Sequence, residues 1–162
     1  MKNNSARGPA RAAIIAALYV VLTGVSAVLG LDKGVIQFRF SEALAVLPAF
    51  CPAAIPGLFV GCFLFNQLFG GAVWDILFGS FATLVGAVGT FSLRKHRFLA
   101  PIPPILANTV IIPPILYFVY GTGFPYLLIT LTVFVGEAVS CGGLGTLLTV
   151  FLNKNEKTVF RD

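Results

Sequence analysis

Long apolar runs, separated by short polar intervals, occupy almost the whole of this 162-residue chain. Hydrophobic residues make up 57% of the sequence and charged residues only 10%, and the mean hydropathy is +0.94. So few polar side chains cannot coat a water-soluble globule of this size. Most of the runs are long enough for helices that cross the hydrocarbon core of a bilayer, which is about 30 Å thick. The sequence therefore predicts one all-α domain embedded in a membrane.

The apolar runs predict a bundle of six transmembrane helices. They cover residues 12–30, 42–50, 53–69, 73–93, 99–120 and 124–152, which leaves an N-terminal leader at 1–11 and a C-terminal tail at 153–162. The first run follows basic residues, as a secretory signal does, but it is long enough to span. Nothing after it suggests a soluble mature protein. We therefore expect the membrane domain to cover residues 12–152.

The second run is too short to span a bilayer as an α-helix. About nine residues rise only about 14 Å. Pro48, Pro52 and Pro56 recur every four residues here, and each removes an amide donor. The run is therefore predicted to be short or broken, with a tight turn near Pro52. Irregular backbone survives at membrane depth only where protein or a cavity covers it, so a cavity is expected nearby.

Basic residues at the ends of the runs set the orientation. If there are six helices, one side of the membrane receives Lys2, Arg7, Arg11, Arg94, Lys95, Arg97, Lys154, Lys157 and Arg161. The other side keeps only Lys33 and Arg39. The positive-inside rule then predicts a multi-pass protein of the cell membrane with both termini in the cytoplasm and the loops 31–41, 70–72 and 121–123 outside. This pattern explains the net charge of +5 without a nucleic-acid partner.

Acidic side chains within or at the edge of the apolar runs are candidates for a binding site. Glu42, Asp75 and Glu137 would each cost roughly 2.5–3.5 kcal/mol at the centre of a lipid-facing helix. Asn66 and Asn108 also lie deep in apolar runs, where an amide needs hydrogen-bond partners. Each could also serve the structure alone. Glu137, for example, could be neutralised by protonation or by a polar neighbour such as Asn108.

Small residues surround Glu137 in the last apolar run. They are Gly136, Ala138, Ser140, Cys141, Gly142, Gly143 and Gly145. Glycine weakens a helix, so its presence favours a close backbone approach to a ligand or to a neighbouring helix.

The polar interval before the second run alternates with a period of two. Ile36, Phe38 and Phe40 alternate with Gln37 and Arg39 in sequence, as in an extended segment with one apolar face. Such a loop could cover the mouth of the bundle as a lid, or it could be an ordinary loop with its rings at the membrane interface. The lid is favoured because Glu42 is close enough in sequence to pair with Arg39.

Small residues also form a stripe on the first helix. Ala12, Ala13, Ala16 and Ala17 give two overlapping pairs four residues apart, a pattern that lets another helix approach closely in lipid. The stripe could pack within the bundle or against a partner protein.

Trp74 precedes Asp75 in the sequence. An indole beside a carboxylate suits a flat cationic ligand, but a tryptophan near a helix end is also typical of the belt at the membrane interface.

No catalytic or metal motif is present. The only histidine, His96, lies inside the basic cluster, and no glycine loop of the phosphate-binding type occurs. Cys51, Cys62 and Cys141 are widely spaced in apolar surroundings and indicate small core residues rather than disulfides or metal ligands. We therefore expect neither an enzyme nor a cofactor.

The stretches GVIQFRFSEALAVLPAF, CPAAIPGLFVGCFLFN and WDILFGSFATLVGA resemble the QueT family of queuosine-precursor transporters, and the resemblance covers about residues 12–152. Members of this family are substrate-binding S components of energy-coupling factor (ECF) transporters. The resemblance implies a six-helix S-component bundle with an outward-facing pocket. It also implies a coupling subunit that docks on the alanine stripe, and two cytosolic ATPases that drive transport.

The implied ligand is a 7-deazaguanine queuosine precursor, with the aminomethyl form expected. A protonated amine seeks one carboxylate, and two parallel N–H groups of the guanine-like edge suit a second. Glu137 is expected in one role and Glu42 or Asp75 in the other. Further candidate contacts are Gln37, Arg39, Asn66, Trp74 and Asn108. The alternatives are another vitamin-like substrate on the same fold, or a structural or assembly protein of the membrane.

Overall fold

Six helical segments, which we number α1 to α6, make up the computed structural model, which describes residues 6–31, 37–69 and 72–159. They are α1 (Arg7–Val28), α2 (Phe40–Ala49), α3 (Ala54–Leu68), α4 (Asp75–Ser92), α5 (Ile102–Phe118) and α6 (residues 126–159). No strand occurs within these ranges. The predicted all-α architecture with six helices is confirmed. Predictions that fall outside the described residues concern Lys2, Lys33, Ile36, Gly70 and Arg161, and the side chain of Lys157.

Four of the helical stretches are long and apolar enough to cross a membrane. They are Arg7–Val28, Asp75–Ser92, Arg97–Phe118 and Tyr126–Asn155. Helix α1 begins at Arg7, inside the predicted leader, and α6 runs on to Val159, inside the predicted tail. Hydropathy marks where the apolar run ends, whereas a helix can continue into the headgroup region with polar side chains, so the two limits differ.

Helix α2 is short, as expected, and it lies at the centre of the protein. It is a 3-10 helix with Pro48 inside it, and a turn at residues 51–53 leads into α3. Eight of its ten residues are buried, from Ser41 through to Ala49 with only Ala43 interrupting. Protein therefore surrounds this segment on nearly all sides, which allows a helix too short to span to persist at membrane depth.

Helices α1 and α3 pack backbone to backbone. A Cβ at Gly57 would lie 2.8 Å from the carbonyl oxygen of Ala12, and one at Gly61 would lie 2.9 Å from that of Ala16. Glycines four residues apart on α3 thus meet alanines four residues apart on α1, the arrangement by which small residues bring helices together in lipid. This packing fixes the rotation of α1 about its own axis.

The helix ends define a basic end and a pocket end. At the basic end, Arg97 donates a hydrogen bond of 3.1 Å to Asn153 of α6, and its guanidinium lies 4.5 Å from the centre of the Phe50 ring. Arg7 begins α1 at this same end, because Ala12 lies beside the start of α3. The basic clusters of the described residues therefore gather at one end of the bundle. Asp75 and Tyr120 meet at the other, the pocket end.

Candidate functional site

A polar cavity of about 410 Å³ opens at the pocket end. Its walls come from the segment before α2 and from α2, α3, α4, α5, α6 and the α5–α6 loop. It is lined by Gln37, Arg39, Glu42, Cys62, Asn66, Asp75, Gly79, Thr83, Asn108, Ile112, Leu116, Tyr120, Thr122, Val133, Glu137 and Ser140. The cavity expected beside the short second helix is therefore present, because Glu42 belongs to α2.

Glu137 lines this cavity, and one of its two carboxyl oxygens is unpaired among the described residues. Its Oε1 accepts a hydrogen bond of 2.9 Å from Nδ2 of Asn108, whereas its Oε2 is shielded from solvent and has no partner among the described residues. A buried acceptor without a donor is costly, and this oxygen remains available to one further hydrogen-bond donor. Asn108 is thus the polar neighbour anticipated for Glu137, and it pairs with only one of the two carboxyl oxygens.

The carboxyl group of Glu42 also accepts a hydrogen bond from a neighbouring helix, in this case α1. The hydroxyl of Tyr19 donates a 3.1 Å hydrogen bond to Oε1 of Glu42, and Tyr19 is only 1% exposed. One turn along α1, the hydroxyl of Thr23 donates a 2.7 Å bond to the carbonyl oxygen of Tyr19 and accepts a 2.8 Å bond from the hydroxyl of Ser41, the residue before Glu42. Two adjacent positions at the start of α2 are thereby fixed to α1, and the Glu42 carboxyl group is oriented by a neutral donor.

Asp75 and Asn66 line the part of the cavity wall that α4 and α3 form. The Tyr120 hydroxyl donates a 2.6 Å hydrogen bond to Oδ2 of Asp75 across the mouth of the cavity. Partial burial, and then the hydrogen bond to the Asp75 carboxylate and its negative charge, raise the pKa of Tyr120 to about 12. Asn66 donates to the backbone oxygen of Asp75 at 3.3 Å and so supports this turn of α4.

A π-helical turn lies at or beside two of the three acids, Asp75 on α4 and Glu137 on α6. One covers Asp75–Gly79 at the start of α4, and the other covers Ala138–Leu144 directly after Glu137. Such turns insert an extra residue, re-aim neighbouring side chains and occur frequently at functional sites. Regular hydrophobic periodicity does not reveal them.

The cavity has an excess of acidic groups. Glu42, Asp75 and Glu137 face a single cationic side chain, Arg39, and no lysine or histidine is among the described lining residues. Arg39 interacts electrostatically with Glu42 and Glu137. The expected direct ion pair between Arg39 and Glu42 is absent among the described residues, where Oε1 of Glu42 instead accepts the hydrogen bond from Tyr19.

Seven of the eight ligand contacts expected from the sequence line this cavity. They are Gln37, Arg39, Glu42, Asn66, Asp75, Asn108 and Glu137. Trp74 does not line it. The indole is 46% exposed and stacks on Phe78 in an apolar groove on the outer surface. We therefore drop Trp74 from the candidate site, and the alternative of an interfacial belt residue fits its position.

Several lining residues were missed by sequence reasoning. Thr83, Tyr120, Thr122 and Ser140 carry hydroxyl groups that are common in loops and helices, so no local signal distinguished them. Cys62, which was interpreted as a core residue, is buried and also lines the cavity.

The alanine stripe of α1 divides into two faces. Ala12 and Ala16 face α3, and Ala16 is only 6% exposed, so these two are internal packing residues rather than a partner surface. Ala13 and Ala17 are exposed on the outer side of the helix. Adjacent residues on a helix point about 100° apart, so one stripe in the sequence serves two surfaces.

Apolar helices able to cross a bilayer, packed around a cavity with three carboxyl groups, define a multi-pass membrane protein with a polar pocket inside its bundle. The chain belongs to the QueT transporter family, whose family model matches residues 10–154.

A curated relative gives a partial match. This chain is 39% identical over 74 residues to the queuosine precursor transporter QueT of Lactococcus lactis subsp. cremoris (strain MG1363). The aligned part covers 45% of this chain and 43% of that protein, less than half of either. No solved structure matches the chain.

Proposed function

We propose that this chain is the substrate-binding S component of an ECF importer and that it captures a 7-deazaguanine queuosine precursor from outside the cell. The observation that carries the proposal is the acid-rich cavity with an unpaired buried acceptor on Glu137. Membership of a transporter family supports a role in transport. The name of the Lactococcus relative supplies the class of substrate.

The chemistry of the cavity suits a cationic ligand with several N–H donors. Three carboxyl groups against one guanidinium favour the aminomethyl precursor, which carries a protonated amine, over an uncharged analogue. Glu137 offers Oε2 to a ligand N–H, and Glu42, oriented by Tyr19, is the second acidic partner. Asp75 is bound by Tyr120 at the mouth and is the alternative partner of the amine. The cavity volume lies within the usual range for small-molecule sites.

In this proposal the pocket end faces the exterior and the basic end faces the cytoplasm. The basic clusters gather opposite the cavity, as the positive-inside rule requires for a protein that takes up its ligand from outside. Both termini are then cytoplasmic. A cysteine introduced at Lys95 should react with an impermeant thiol reagent only after the membrane is opened, and labelling in intact cells would reverse the orientation.

The partners proposed are the transmembrane coupling subunit and two cytosolic ATPases, so this chain binds ligand and catalyses no reaction. The exposed alanines Ala13 and Ala17 are the proposed docking surface on α1, since small side chains permit close helix approach. Ala17→Leu should prevent assembly with the coupling subunit and leave ligand binding intact. Val25→Leu, exposed on the same helix and outside the stripe, is the matched control.

Identification of a copurified ligand tests the function most directly. The purified protein should release an ultraviolet-absorbing 7-deazaguanine whose mass identifies the aminomethyl form. Isothermal titration should then rank the aminomethyl precursor above the nitrile precursor and guanine. A different vitamin-like molecule in the cavity would retain the transport class and reject the substrate. A protein that is empty and indifferent to all these compounds would favour a structural role.

A further inference from the structure

Residues 37–40, which we call the strap, lead into α2 and include its first residue, Phe40. The amide of Phe38 donates a 2.9 Å hydrogen bond to the carbonyl oxygen of Leu31, and the amide of Phe40 donates a 2.9 Å bond to the Ser26 hydroxyl. The first contact fixes the strap to the turn after α1, and the second fixes it to the last turns of α1 itself. Gln37 and Arg39 line the cavity while Phe38 and Phe40 do not, so the alternation seen in the sequence holds within the described strap.

The strap also rests on α6, at two small residues one turn apart. The amide of Arg39 donates a 3.3 Å hydrogen bond to the hydroxyl of Ser140. The carbonyl group of Gln37 lies directly against Gly136, where an added Cβ would collide with its oxygen. The strap backbone therefore passes over α6 at a distance that only glycine permits at position 136.

Two nearby glycines of α6, Gly142 and Gly143, do not share this requirement. A Cβ at Gly143 would meet nothing within 4 Å, and one at Gly142 would make an ordinary 3.5 Å contact with the side chain of Ile105. Because the group in contact with Gly136 is backbone and not the flexible end of a side chain, it cannot swing aside. The strap itself would have to move.

Arg39 is the hydrogen-bond donor whose position depends on how the strap rests on α6. The Nδ2 atoms of Asn66 and Asn108 already donate to Asp75 and to Glu137. The Arg39 side chain, by contrast, makes no hydrogen bond among the described residues, and its guanidinium is the only cation on the cavity wall they form. A 7-deazaguanine carries a ring carbonyl oxygen, for which a guanidinium is a strong donor.

We propose that Gly136 and Ser140 are positioning residues that seat the strap on α6 and thereby hold Arg39 at the cavity, beside the carboxyl groups of Glu42 and Glu137. The role in ligand recognition rests on the function proposed above, whereas the seat itself can be tested without ligand. Any side chain at Gly136 displaces the strap, and loss of the Ser140 hydroxyl removes its hydrogen-bonded anchor.

Hydrogen exchange of the ligand-free protein in lipid nanodiscs tests the seat. Gly136→Ala should raise exchange of the Arg39 and Phe40 amides by at least about tenfold, since these amides lose their serine acceptors when the strap moves. Gly143→Ala, on the same helix in open space, should leave both amides protected. Unchanged exchange in Gly136→Ala, or an equal rise in both variants, would overturn the seat.

A double-mutant cycle tests whether the seat acts through Arg39. Gly136→Ala should weaken binding of the aminomethyl precursor by about tenfold or more in the wild-type background, and by less than about twofold when Arg39 is already alanine. Additive losses would overturn the positioning role. If Gly136→Ala does not fold, Ser140→Ala replaces it in the cycle, with Ser140→Thr as the conservative variant that keeps the hydroxyl and should restore affinity.

The two proposals can fail separately. If the wild-type protein binds none of the queuosine precursors, the proposed function fails, while the exchange comparison of Gly136→Ala with Gly143→Ala still decides the seat. If the wild-type protein binds the precursor and the cycle shows no coupling, the function stands and this inference fails.

Discussion

The two ends of the bundle are held together by different contacts. Towards the basic end, two glycines of α4 pack closely against two prolines of α5, since a Cβ at Gly86 would lie 2.7 Å from Cα of Pro104 and one at Gly89 would lie 2.6 Å from Cβ of Pro103. Nearby, the buried hydroxyl of Thr90 donates a 2.8 Å hydrogen bond to the carbonyl oxygen of Ala100.

At the pocket end, single hydrogen bonds between side chains hold the acids instead. Tyr19, Asn108 and Tyr120 each donate to one carboxyl group, and Oε2 of Glu137 keeps no partner among the described residues. Close backbone packing drives helix association in lipid, where the hydrophobic effect is absent, whereas incomplete pairing of polar groups favours a ligand. Variants at the basic end should therefore lower stability, whereas variants at the pocket end should weaken ligand binding.

The largest effect is expected for the double variant Gly86→Ala and Gly89→Ala. Two methyl groups cannot fit between α4 and α5 without separating them, so stability should fall by about 3 kcal/mol, the upper part of the range for overpacking. Thermal melts in detergent measure this loss. Gly143→Ala adds a methyl group in open space and should keep the wild-type melting temperature. If the double variant melts at the wild-type temperature, close packing of α4 on α5 is not what stabilises the basic end.

Glu137→Gln should lower affinity for the aminomethyl precursor by about 10- to 100-fold and leave the melting temperature nearly unchanged. The variant keeps the side-chain size and one acceptor, but it removes the charge and places a donor where the ligand presents a donor. Loss of a charge-assisted hydrogen bond costs roughly 1.5–3 kcal/mol. Isothermal titration with a parallel melt separates binding from folding. An unchanged dissociation constant would exclude Glu137 from the site and leave Glu42 and Asp75 as the candidates.

Tyr19→Phe should have a smaller effect of the same kind. Removing the hydroxyl leaves Oε1 of Glu42 without its donor and allows the carboxyl group to rotate, so affinity should fall by about 3- to 10-fold. Tyr117→Phe is the matched control, because Tyr117 is exposed and does not line the cavity. Equal affinities for the two variants would show that Glu42 needs no orientation from α1.

The smallest effect is expected for Tyr120→Phe, because the bond to Asp75 is open to water; affinity should change by about twofold or less. The pH dependence of the stability difference between wild type and Tyr120→Phe is more informative. The pKa of Tyr120 in the folded protein is about 12, above the ordinary tyrosine value of about 10. The contribution of its hydroxyl is therefore complete below about pH 10 and is lost as the pH rises through about 12. The difference in melting temperature between wild type and variant should stay constant up to about pH 10 and shrink towards about pH 12, and a difference that does not shrink there would contradict the raised pKa.

Much of the fold was predictable because it depends on local properties of the chain. The length and hydropathy of each run indicate a helix, since the bilayer leaves the backbone few alternatives. The proline spacing around Pro48 and Pro52 predicted the short second helix and the turn after it. Acids and amides within apolar runs are expensive, and the three acids and two amides selected for that reason, with two residues of the adjacent loop, all line the cavity.

The sequence by itself thus determined an all-helical membrane bundle, its short central helix and the acids of its pocket. Only the tertiary structure decided which groups meet, because partners such as Asn108 and Glu137 are 29 residues apart and come together through helix packing. Packing also fixed the rotation of each helix about its axis, which turned Trp74 outwards and placed Ala16 inside but Ala17 outside. Periodicity shows that a helix has faces, but the neighbouring helices determine where each face points.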